Sequence, residues 1–249
     1  MRRMRIIGVS LVAVFAIGVM ASTASAAQPV FYGVAELGKV VATPIKQAGT
    51  LGPAFLEGKT SKGKITCTGG TSTGEVTGPT KSANNIATFT GCETNELKCN
   101  SAGQPTGTIQ TNKMDGVLGN VSATLPGVRL FKEGEGGKVP KTGALATFEC
   151  GAGLVKVVVT GSVIGSLSGA AGNTPEEGKF ATSSKITFAE ALGAQKYTKF
   201  LAGQCGGNAN DCGPEQLTSK IHESEELGGQ SVIATLKTVP FAGKLGYTK

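Results

Sequence analysis

Apolar and polar residues alternate along short stretches of this chain. "KITCT" sets Ile65 and Cys67 against Thr66 and Thr68, and "NNIATFTGC" sets Ala87 and Phe89 against Ile86, Thr88 and Thr90. "ALATFEC" puts Ala146, Phe148 and Cys150 on one face, with Thr147 and Glu149 on the other. A period of two is that of a strand with one buried face. "GLVKVVVTGSVIGSL" is the most apolar segment and predicts a central strand, bent at Gly161 or Gly165. "SSKITFA", "KYTKFLA" and "QSVIATLKTV" are later candidates, and turn signals such as "EGEGG" and "NTPEEG" separate the runs.

No strand–helix alternation is present, so the pattern predicts an all-β fold, an antiparallel β-sandwich or barrel-like single domain stapled by disulfides. One segment is ambiguous. "PEQLTSKIHESEELGG" has Pro214 at a helix start, Leu217 and Ile221 four apart and Gly228 as a stop, yet Leu217, Ser219 and Ile221 also alternate. Helix and strand both remain open for Leu217 to Glu226.

The first residues read as a secretory signal peptide: Arg2, Arg3 and Arg5, an apolar run from Ile6 to Met20, then "ASTASAA". Cleavage after Ala26 or Ala27 divides the chain into a signal over 1–26 and one exported domain over 27–249. The apolar run is too short for a membrane span, and no second one is expected in the mature chain. Losing three arginines leaves 21 basic against 17 acidic side chains, so much of the formal +7 belongs to the signal. Basic clusters interleaved with aromatics are lacking, which argues against a nucleic-acid partner. Glycine, at 38 residues, shows no period of three, and an apolar fraction of 39% exceeds that of a disordered chain.

Six cysteines in an exported chain predict three disulfides. "CETNELKC" and "CGGNANDC" each place six residues between cysteines, so the simplest pairing joins Cys92 to Cys99 and Cys205 to Cys212. Cys67 and Cys150 then bridge the core. Metal sites favour closer cysteine pairs with histidines, and His222 is the sole histidine. No cofactor or metal set is expected.

"GTSTG" matches the G-x-S-x-G nucleophile pattern at Ser72, with Asp115, Asp211 and His222 following in the order of a hydrolase triad. An elbow needs a helix after its serine, whereas "EVTGPT" follows here; the plain alternative is a hairpin rich in Thr and Ser. A carboxylate pair such as Glu149 and Glu190 is a further hydrolytic option, weakened by the absence of Trp for sugar stacking.

The blocks "ITCTGGTSTGEVTGPTKSANNIATFTGCE", "CNSAGQPTGTIQTN", "FECG" and "VVVTGSVIGSLS" come in an order that resembles a large family of uncharacterised exported proteins from high-GC Gram-positive soil bacteria. The resemblance covers roughly Lys64 to Gly169. It implies a β-rich fold and an extracellular setting, and it supplies no catalytic residues. It also implies that Cys67, Cys92, Cys99 and Cys150 form one framework to which Cys205 and Cys212 are an addition, and that "LTSKIHES" is β-like. The expected function is a non-enzymatic structural or interaction module at or near the cell envelope, with a cell-wall polymer or envelope protein as the kind of partner. The alternatives are a secreted hydrolase using Ser72, Asp211 and His222, or a β-sandwich that binds a small ligand in an apolar pocket.

Overall fold

The computed structural model describes residues 31–33, 44–78, 80–122, 125–134, 143–169, 183–199, 216–221, 224–238 and 245–247. The expected signal peptide, the predicted Cys205–Cys212 staple, Asp211 and His222 lie outside the described residues. Among the described residues there are nineteen strands and no helix. Every strand pair is antiparallel, as the alternating pattern predicts.

The strands assemble into eight columns laid side by side in chain order. Strand β1 (Phe31–Gly33) stands outside them. Strands β2 (Ile45–Leu51) and β3 (Ala54–Gly58) form the first column, broken only at Gly52 and Pro53. Strands β4 (Lys64–Cys67) and β5 (Gly69–Val76) return beside it in one unbroken register, with Ala54 facing Cys67 and Leu51 facing Gly70. The third column is β6 (Lys81–Thr90) with β7 (Glu93–Thr94), and the fourth is β8 (Leu97–Asn100), β9 (Thr108–Gln110) and β10 (Met114–Ser122). Strands β11 (Leu125–Lys132) and β12 (Ala144–Cys150) make the fifth, and β13 (Val155–Gly169) alone spans the sixth.

The seventh column begins with β14 (Ser183–Phe188). A small hairpin, β15 (Glu190–Ala191) and β16 (Ala194–Gln195), follows before β17 (Leu217–Ile221) completes the column. Strand β18 (Ser224–Thr238) is the eighth and pairs with β2 and β3 of the first. The pairings therefore return to their start, and the meander is barrel-like. Strand β19 (Leu245–Tyr247) pairs with β1, joining the two ends of the described chain.

The predicted alternation sets which face looks inward. Ala146, Phe148 and Cys150 are buried while Thr147 and Glu149 are exposed, and Ile65 is buried beside exposed Thr66. Outward positions on β4, β5 and β12 include Thr66, Thr71, Thr73, Thr147 and Glu149, all exposed. On these three strands the outer face thus carries threonines and a glutamate.

The ambiguous stretch is strand, not helix. Leu217 and Ser219 are each 2% exposed, and β17 pairs with β13 on one side and β18 on the other. Two ladders of backbone hydrogen bonds outweigh the local helix signals at Pro214 and Gly228, because a helix would leave the slot between β13 and β18 unpaired. At the break between β14 and β17, side-chain and loop atoms replace strand partners. Ser162 N–H donates to Gln216 O at 3.1 Å, and Ile164 N–H donates to Gln195 Oε1 at 3.3 Å. Gly161, between them and the β12-paired end of β13, has φ +91°, so the predicted bend falls there.

The cysteine pairing differs from the simplest one. Cys67 bonds to Cys92 and Cys99 to Cys150; Cys92–Cys99 and Cys67–Cys150 do not form. All four lie on one rung across columns two to five: Thr66 faces Glu93, Glu93 faces Lys98, and Cys99 faces Cys150. Backbone polarity decides which neighbours join. Cys92 O accepts from Cys99 N–H at 2.9 Å, and Cys92 N–H donates to Gly107 O at 2.8 Å, so both point into column four. Cys92 and Cys99 thus meet at a hydrogen-bonded position of the ladder, sharing one bond while the Cys92 N–H goes to Gly107 O in place of Cys99 O. Cys67 and Cys92 form the narrow kind with their Cα atoms 4.0 Å apart, as do Cys99 and Cys150, and narrow pairs bring side chains closer.

Candidate functional site

The inward faces of the columns do not fill the space they enclose. A pocket of about 160 Å³, partly open to solvent, remains between them; its wall is mostly apolar, with Leu56, Ile65, Phe89, Ile109, Leu130 and Phe148, and carries Gln47, Ser82, Asn85, Thr111 and Ser184 among its polar residues. No charged side chain lines it. Small residues on its wall leave the room: Ser72 on β5 faces Ala87 on β6, and Ala146 lies on β12.

"GTSTG" takes on a different meaning in this setting. G-x-S-x-G has a period of two, so on a strand Gly70, Ser72 and Gly74 all point to one face. That face is inward, and packing resists a side chain at both glycines, through backbone at Gly70 and through the Asn85 side chain at Gly74. A Cβ on Gly70 would lie 2.1 Å from Thr88 O, and one on Gly74 would lie 2.3 Å from Asn85 Oδ1. Strand β5 continues to Val76 with no turn into a helix after Ser72. The hydrolase elbow is therefore not built at this serine. Of the other expected hydrolytic residues, Glu149 is exposed on the outer face of β12, while Glu190 accepts the Gly193 N–H within the β15–β16 hairpin. The two sit in different surroundings, and neither lines the cavity.

Polar atoms on the cavity wall are few. Asn85 Nδ2 donates to Ser82 Oγ and to Met114 O, both at 3.0 Å. The Met114 carbonyl can only accept, which fixes the amide so that Oδ1 is the group facing Gly74. Thr111 Oγ1 accepts the Ala87 N–H at 2.9 Å, bridging the end of β9 to β6. Ser72 Oγ is buried and has no hydrogen-bond partner. Buried hydroxyls nearly always have one.

The cavity itself was not anticipated from sequence. Its signal is the set of small residues Ser72, Gly74 and Ala87, which only register shows to share one wall. No family model, curated protein or solved structure matches this chain. No helix among the described residues is long and apolar enough to cross a membrane.

Proposed function

We propose that the protein is an exported, non-enzymatic binding module that holds a small, neutral, largely apolar molecule in the interior of its strand circuit. One observation carries this reading: a cavity of about 160 Å³ lined mostly by apolar side chains and by no charge. Mostly apolar space of about this size can take up a molecule of benzene size. The oxidised Cys67–Cys92 and Cys99–Cys150 bridges support export into an oxidising compartment.

Thermal unfolding of the oxidised protein with added toluene tests the binding. A ligand at about a hundred times its Kd stabilises the native state by about 2.7 kcal/mol, which raises the midpoint by several degrees. Ala87→Leu, which fills the wall opposite Ser72, should lose that response. No shift with toluene, or an equal shift in Ala87→Leu, would overturn the proposal. Export is tested separately: the amino terminus of protein recovered from culture medium should be residue 27 or 28.

A further inference from the structure

We infer that the occupant is a linear amphiphile, an alkyl chain ending in one neutral polar group, which lies with that group beside Gln47 and its chain end beside Leu56 and Ile65. The inference rests on the cavity-binding reading above and adds the shape, polarity and direction of the ligand.

Neighbouring strands run antiparallel, so one end of the circuit gathers the starts of β2, β6 and β14 with the ends of β5 and β18. Polar groups of the wall collect at that end. Gln47 is the third residue of β2 and faces Gly74, and the space inside Gly74 holds Asn85 Oδ1, 2.3 Å from where a Cβ would lie. Asn85 donates to Ser82 Oγ at 3.0 Å. Ser184, the second residue of β14, faces Leu236, which faces Gly49, two residues along from Gln47. Gln47, Ser82, Asn85 and Ser184 all line the space.

The opposite end is apolar. Leu56 faces Ile65 and Ala54 faces Cys67 where β3 ends and β4 begins, and Phe148 lies two residues before the end of β12. The cysteine rung runs through this end. Between the two ends, Thr111 Oγ1 accepts the Ala87 N–H, and Ser72 Oγ is buried within the wall.

From Gln47 to Leu56 the first column advances nine residues, about 30 Å of strand and about 20–25 Å along the axis at the tilt usual for barrels. A volume of about 160 Å³ drawn out over that length suits a chain better than a ring. No charged side chain lines it, so an ionised head group would lose water and gain no counter-charge. A neutral head, such as an alcohol or amide, is one that the amide of Gln47 and the hydroxyl of Ser184 can meet as donor or acceptor.

1-Hexanol is the probe, with toluene and hexanoate as comparisons. Titration of the oxidised protein at neutral pH should show 1-hexanol binding about tenfold or more tighter than hexanoate, and affinity rising about fourfold per carbon from 1-butanol to 1-hexanol. Nuclear Overhauser contacts should run from the terminal methyl of bound 1-hexanol to the Leu56 and Ile65 methyls, and from its C1 protons to the Gln47 side-chain amide. Gln47→Leu should weaken 1-hexanol about twofold to tenfold while toluene binds as well or better, and toluene binding shows that the variant folds. Reversed or mixed contacts, hexanoate binding as tightly as 1-hexanol, or a wild type that takes toluene and rejects 1-hexanol each overturn the inference and leave the cavity reading standing. Binding of neither toluene nor 1-hexanol overturns both.

Discussion

Tryptic digestion without reduction distinguishes the two cysteine pairings directly, because lysines separate all four residues. Cleavage after Lys64, Lys81, Lys98, Lys113, Lys141 and Lys156 places Cys67 in peptide 65–81, Cys92 in 82–98, Cys99 in 99–113 and Cys150 in 142–156. The observed bridges predict 65–81 linked to 82–98, and 99–113 linked to 142–156. The simplest pairing would instead link 82–98 to 99–113. The two bridges close chain separations of 25 and 51 residues, for which loop entropy gives about 3.5 and about 4.1 kcal/mol. Against a domain stability of about 5–15 kcal/mol, either is a large share. Urea unfolding of the Cys67→Ser/Cys92→Ser and Cys99→Ser/Cys150→Ser variants should therefore show losses of about that size, slightly larger for the second. A peptide linking 82–98 to 99–113 in freshly purified protein would refute the argument from narrow and hydrogen-bonded pairs.

Two further substitutions test the frame. Gly70→Ala should cost about 1–3 kcal/mol by thermal or urea unfolding, because its Cβ would meet the backbone oxygen of Thr88 at 2.1 Å and neither strand can yield cheaply. Gln195→Ala should cost about 1–3 kcal/mol and speed hydrogen exchange at the Ile164 amide, which loses its acceptor on the side of β13 that lies between β14 and β17.

Much of the fold could be read from the chain, and what could not be read has a common cause. Period-two patterns name a strand and its buried face, which is why Ala146, Phe148 and Cys150 were placed correctly. They carry no information on which strand lies beside which. Cysteine pairing depends on that information, and further on whether two facing residues exchange hydrogen bonds. Sequence proximity favoured Cys92 with Cys99, whereas the backbone of Cys92 turns both its polar groups toward column four. The stretch around Leu217 failed to resolve for the same reason, since its strand state depends on an open slot between β13 and β18. "GTSTG" matched a catalytic pattern because that pattern and a strand's inward face share a spacing of two. Register, not composition, places Ser72 and Gly74 on the wall of a cavity.

The cavity and the cysteine rung are linked through energy. An unfilled volume of about 160 Å³ costs about 4 kcal/mol at 24 cal/mol per Å³, comparable to what one bridge contributes. Cys67 lines the cavity, as do Phe89 of the third column, Ile109 of the fourth and Phe148 of the fifth, so the clamped columns supply one part of a wall that the first, sixth and seventh columns complete. The rung thus holds apart walls that would otherwise gain by closing. Reduction should then be less damaging once the space is filled. Ala87→Leu adds three carbons to the wall, worth up to about 2 kcal/mol if they enter the cavity without strain. In dithiothreitol the Ala87→Leu protein should therefore unfold at a higher urea concentration than reduced wild type. A reduced variant no more stable than reduced wild type, with both equally stable when oxidised, would show that the rung and the cavity act independently.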